Sequence, residues 1–161
     1  MKTSTFLTFG ALVAFAAVNT ASAQTATQTV TFQVSAINQI AVAGTPSLLI
    51  NAAAAGSAPT SVTSVGNTWS VTTNQSTAMI TASIPTIMPA GLTLSANLTA
   101  PAGATSTGLT ALGTTAVNVV TGITKLNAAA LALTYQLDAT AAAGVVVSST
   151  RVVTYTITGG V

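Results

Sequence analysis

The chain has no cysteine and no histidine, and Asp138 is the only acidic side chain among its 161 residues. Those absences remove most catalytic chemistry. Paired-carboxylate catalysis needs two acids, a Ser-His-Asp set needs an imidazole, and a thiol nucleophile needs a cysteine. Metal sites fail on the same inventory, because one carboxylate cannot supply the nitrogen, sulfur or clustered oxygen ligands of zinc, copper or calcium. A Ser-Lys dyad would rest on Lys125, yet no motif sets a serine beside it, and activation would require a desolvated amine. The expected protein is not an enzyme and uses neither metal nor cofactor. With no disulfide to brace it, packing and backbone pairing must carry its stability.

Charge is nearly as scarce. Lys2, Lys125 and Arg151 set against Asp138 leave a net charge of +2, and separated cations do not form the phosphate-neutralising footprint of a nucleic-acid binder. A nearly uncharged surface also lacks the repulsion that keeps copies of a protein apart, so self-association is expected. No apolar run is long enough for a permanent membrane helix. The longest, Phe6 to Val18, covers thirteen residues, against the roughly 20 that a spanning helix needs. Lys2 precedes it and Ala21-Ser22-Ala23 follows it, which is the layout of an export signal over residues 1–23 cut between Ala23 and Gln24. Residues 24–161 are then expected to form one secreted domain, extracellular or at the cell surface, with no stable membrane insertion once the signal is removed.

What is abundant is alternation. From Thr29 to Val42, Val30, Phe32, Val34, Ala36, Ile40 and Val42 fall on one parity, and Thr29, Thr31, Gln33, Ser35 and Gln39 on the other. Period two is the strand period. Fourteen residues would span about 46 Å, roughly twice an ordinary strand, so this strand is expected to bend between sheets or to reach beyond its own domain. The breach at Ile37-Asn38 suits a bulge or bend. Further alternating runs centre on Trp69 and Val71, on Ala78 to Ile84, on Leu92 to Leu98, on Leu131 to Leu137 and on Val153 to Ile157, with a less regular one from Val117 to Ile123. Asn74-Gln75-Ser76 reads as a hairpin connection between the first and second of these. Ala128 to Ala132 has helical composition, but its continuation through Tyr135 has period two, and pattern decides which face is buried. About eight strands separated by Gly, Pro and Thr loops predict an antiparallel β-sandwich of immunoglobulin-like or pilin-like type.

The four aromatics beyond the signal, Phe32, Trp69, Tyr135 and Tyr155, all lie on the apolar parity of their strands, so core packing is expected for each rather than an exposed sugar platform. Thr-x-Thr ladders lack the fixed repeat of an ice-binding face, and Asn74-Gln75-Ser76 and Asn97-Leu98-Thr99 match a glycosylation pattern too short to be specific. Edge strands of soluble sandwiches are usually guarded by charge or proline, and three charges beyond the signal guard little. An open edge accepts an extended segment from another molecule by strand addition. With its alternation, cysteine-free Thr- and Ala-rich composition and simple export signal, the chain resembles secreted bacterial fibre subunits, namely pilin-like sandwiches of donor-strand type and biofilm-matrix fibre proteins. It differs from chaperone-assembled pilins in having no disulfide and in ending on Gly159-Gly160-Val161 rather than near a tyrosine. The resemblance implies a homopolymeric structural protein. Its expected assembly strand carries Val30, Phe32, Val34, Ala36, Ile40 and Val42, and its expected acceptor edge carries Val153, Tyr155 and Ile157. The alternative is a monomeric adhesin whose loops at 54–67 and 102–115 bind a surface or glycan.

Overall fold

The computed structural model describes residues 22–160. The chain divides at Gln33 into two units, the stretch ending there and Val34–Val161. Met1 to Ala21, which carry most of the expected export signal, lie outside the described residues; Ala23 and Gln24, at the expected cleavage point, are exposed and belong to no strand.

The second unit is all-β, with two antiparallel sheets in an arrangement of β-sandwich type. Its strands are β1 (Asn38–Ala43), β2 (Val62–Thr63), β3 (Asn67–Thr73), β4 (Ser76–Ser83), β5 (Leu92–Leu98), β6 (Thr105–Ser106), β7 (Thr110–Ala111), β8 (Val117–Ile123), β9 (Leu126–Ala139) and β10 (Thr154–Gly160). One sheet runs β1-β3-β9-β5-β7 with β2 also on β9, and the other runs β10-β4-β8-β6. A single 3-10 turn, Ala141–Ala143, follows β9.

The core is the set of inward parities facing one another. Trp69, Val71, Leu98 and Leu133 from the first sheet meet Ile80, Val119, Val120 and Ile123 from the second. Each large apolar side chain so buried contributes about 1.5–3 kcal/mol over an exposed one. Two buried polar residues are satisfied locally: Ser64 Oγ accepts from Asn67 Nδ2 at 2.8 Å and from the Tyr135 amide at 3.0 Å. Those bonds remove the penalty of burying donors and acceptors unpaired.

Four expectations need correction. The long strand from Thr29 is only β1, because residues 22–37 belong to no strand. Asn74-Gln75-Ser76 is not a hairpin turn, since β3 and β4 pair in different sheets. The reason is burial. Trp69, Val71 and Thr73 face the core from one side and Ala78, Ile80 and Ala82 from the other, so the chain must arch across the core instead of folding back within a sheet. Phe32 is not a core residue; it is 89% exposed. The loops at 54–67 and 102–115 carry the two-residue strands β2, β6 and β7, which period-two reading is too coarse to see.

The irregular pattern of β8 has a structural cause. The pairing of β4 with β8 shifts register on either side of Ile80, which lets both Val119 and Val120 reach full burial. In β9 the Ala-rich stretch is strand, as its continuation requires, with a bulge where the register against β3 shifts between Trp69 and Val71. Ala130 takes φ 55° there and its amide donates to Ser70 Oγ at 3.3 Å, the local departure that an inserted residue imposes.

Candidate functional site

The two sheets are closed on one side and open on the other. On the closed side the edge strands β6 and β7 have two residues each, and the tight connection between them is held by the Thr107 amide, which donates to the Val119 carbonyl at 3.1 Å. Very short edges offer nothing to a foreign strand. On the open side stand β1 and β10, the six- and seven-residue outer strands of their sheets. They meet at one end only. There Asn38, oriented so that its Nδ2 donates to Thr73 Oγ1 at 2.6 Å, accepts from the Gly159 amide at 3.3 Å.

Away from that junction the edges diverge. β1 stops at Gly44, whose φ of +114° and position 3.0 Å from Asn67 Cα, measured from where a Cβ would sit, leave room for glycine alone. Beyond Gly44 the chain runs through Pro46–Ala53 with no strand pairing until the isolated bridge of Ala53 to Pro59. The approach to β10, residues 145–153, is likewise outside any strand. Between these two irregular rims lies a groove of about 950 Å³, with Met88, Leu92, Leu94, Tyr135 and Leu137 among the residues at its floor and walls. Its rims are apolar and wet: Leu49 is 70% exposed and Val147 is 82% exposed. Arg151 lines the groove; its Nη1 donates to the Thr150 carbonyl at 2.8 Å, and its Nε is buried with no partner.

The expected acceptor residues fall beside this groove. Val153, Tyr155 and Ile157 are half-buried and pack against the core, while β10 pairs only with β4, leaving its outer edge without a strand among the described residues. Tyr155 and Tyr135 join the two sheets, the Tyr155 hydroxyl donating to the Tyr135 hydroxyl at 3.0 Å. Burial raises the pKa of both phenols; the hydrogen bond to Tyr135 raises that of Tyr155 further, whereas the hydrogen bond accepted from Tyr155 partly offsets the rise at Tyr135. In the unfolded chain both ionise near pH 10, and in the fold only at higher pH. The unfolded state therefore loses protons first, so the phenols' contribution to stability is fully present below about pH 10 and falls above it. Thermal melts across that range should show the fall, and Tyr155→Phe should make it shallower.

Of the expected assembly strand, the structure divides six residues into two groups. Ile40 packs against the core from β1, and Val42, on the same inward parity, borders a small cavity with Leu133 and Tyr135 and is 51% exposed. Val30, Phe32 and Val34 are 72%, 89% and 77% exposed and belong to no strand; Ala36 is exposed as well. The point where this segment joins the sandwich is held by Asn74. Its Oδ1 accepts from the Ile37 amide at 2.8 Å, its Nδ2 donates to the Ser35 carbonyl at 2.7 Å, and its own amide donates to the Ile37 carbonyl at 3.2 Å. Sequence reading took Asn74 for a turn residue or glycosylation pattern; only the fold brings it beside residues 37 and 39 positions away. Asn74→Ala removes the two side-chain bonds and should cost about 1–2 kcal/mol, with faster hydrogen exchange at the Ile37 amide as the readout.

Among the described residues no group of three or more His, Cys, Asp or Glu could hold a metal ion, and no helix is long and apolar enough to cross a membrane. Comparison of the chain with protein-family models, with curated proteins and with solved structures finds no match.

Proposed function

We propose that this protein is a secreted structural subunit of pilin-like type, which copies of itself extend into an extracellular fibre or surface matrix by β-strand addition. One observation carries the reading: Val30, Phe32 and Val34 keep strict strand alternation while standing 72%, 89% and 77% exposed outside any strand. Three large apolar side chains on one parity, each worth about 1.5–3 kcal/mol if buried, have the pattern of a strand that lacks a sheet. The open side formed by β1 and β10 is a sheet edge that lacks a strand. Near-absence of charge permits copies to approach. The adhesin reading draws less support, because Trp69 and Tyr135, at 1% and 7% exposure, are buried and the one fully exposed ring, Phe32, stands on the alternating segment rather than on the loops at 54–67 and 102–115.

Negative-stain electron microscopy and light scattering of residues 24–161 test the proposal. Regular filaments a few subunits or more in length are the expected result. A species that stays monomeric at concentrations far above those of the cell surface would count against self-driven addition.

A further inference from the structure

We infer that the groove between Pro46–Ala53 and residues 146–153 is the seat for Val30, Phe32 and Val34 of a second copy of this chain. The inference rests on the strand-addition reading and moves its acceptor from the expected edge at Val153, Tyr155 and Ile157 to the groove beside it. Four observations converge on it.

The groove has the chemistry of a missing strand's site. Its floor is apolar, with Leu94 and Leu137 side by side in register on β5 and β9. Its two rims, 46–51 and 146–151, belong to no strand, so their backbone groups are not committed to a ladder. The occupant must therefore be extended, uncharged and apolar at every second position, and residues 29–36 have that pattern.

Chain reach rules out a copy filling its own groove. Ser35 is tied to Asn74, next to Thr73, which pairs with both Asn38 and Leu126 at the start of β9. Tyr135, the β9 lining residue nearest that end, is nine residues further along the strand, about 26–30 Å away at roughly 3.3 Å per residue less the bulge. Phe32 lies three residues from Ser35 and Val30 five, so at full extension they reach only about 10 Å and 18 Å. Root and groove thus lie at opposite ends of the sandwich. A neighbour's segment is not so limited, and its insertion leaves that neighbour's own groove open for the next copy. Head-to-tail addition of this kind does not close.

Cysteine trapping tests the seat directly, because the chain has no cysteine of its own. Thr31→Cys, which leaves the apolar triplet intact, is mixed with a second copy carrying Leu49→Cys or Val147→Cys on the two exposed rims. Parallel mixtures use Thr156→Cys on β10 and Val65→Cys, which lies off the groove. Each oxidised mixture is scored for disulfide-linked pairs and imaged for filaments. The inference expects filaments in which Thr31→Cys pairs with one or both rim cysteines at least tenfold more than with Val65→Cys. Filaments in which it pairs with Thr156→Cys alone, or with all positions equally, would overturn the groove while leaving strand addition standing. Absence of both filaments and linked pairs would overturn strand addition, and the groove with it.

Discussion

Removing Gln24 to Val34 should abolish polymerisation and leave the sandwich folded. The deleted residues belong to no strand and are exposed throughout, so the core of β3, β4, β5, β8 and β9 loses no buried partner. The change in unfolding free energy should stay within about 0.5 kcal/mol, the usual range for surface alterations, while assembly by the proposed strand addition should be lost altogether. A single substitution separates side-chain burial from chain length. Phe32→Asp places a charge on the apolar parity and should block assembly as fully as the deletion does. Thr31→Asp places the same charge one residue away, on the polar parity, and should slow assembly without abolishing it. If both aspartates acted equally, general charge repulsion rather than a buried face would govern association. Light scattering gives the assembly state and thermal unfolding of the same samples gives the stability.

The second large effect is expected in the core. Trp69 is 1% exposed, sits on β3 between β1 and β9, and its Nε1 donates to the Thr99 carbonyl at 3.2 Å. It faces Val42 across one pairing and Leu131 across the other. No disulfide shares the load. Trp69→Ala should therefore cost about 3–5 kcal/mol, a large part of the 5–15 kcal/mol that a domain possesses, and lower the melting temperature by on the order of 10–20 °C. Trp69→Phe keeps most of the apolar volume but leaves the Thr99 carbonyl unpaired, for a smaller loss of about 1–3 kcal/mol. Denaturant unfolding followed by circular dichroism would rank the three proteins. A Trp69→Ala protein of unchanged stability would mean that the two sheets do not pack as described.

These two outcomes together define how the molecule divides its labour. The apolar residues on the inward parities of β3, β4, β5, β8 and β9 are spent inside the domain, whereas Val30, Phe32 and Val34 are left over. Position along the strand pattern does not distinguish the groups: Phe32 and Trp69 both sit on the apolar parity of a clean alternating run. Their exposures, 89% and 1%, are at opposite extremes.

The all-β class was legible in the sequence, because period two recurs along most of the chain. The sequence also made Ala128 to Ala132 legible as strand, since Tyr135 and Leu137 extend its alternation, whereas the burial of Trp69 and Tyr135 and the exposure of Phe32, all on apolar parities, were left to the fold. Other features depended on which strand lies beside which, a matter of long-range pairing that local pattern does not encode. Only the tertiary structure decided that β3 and β4 face each other across the core, because an alternating pair with a short connection reads the same whether it folds within a sheet or arches between two. It likewise decided where β1 begins. Alternation from Thr29 onward marks a capacity to be buried on one face, but burial needs a neighbouring strand, and in this fold β3 pairs with β1 only from Asn38 to Ala43. The groove was invisible for the same reason: its rims lie about a hundred residues apart in the chain, and they meet only because β1 and β10 close the two sheets at Asn38 and Gly159 and diverge from there.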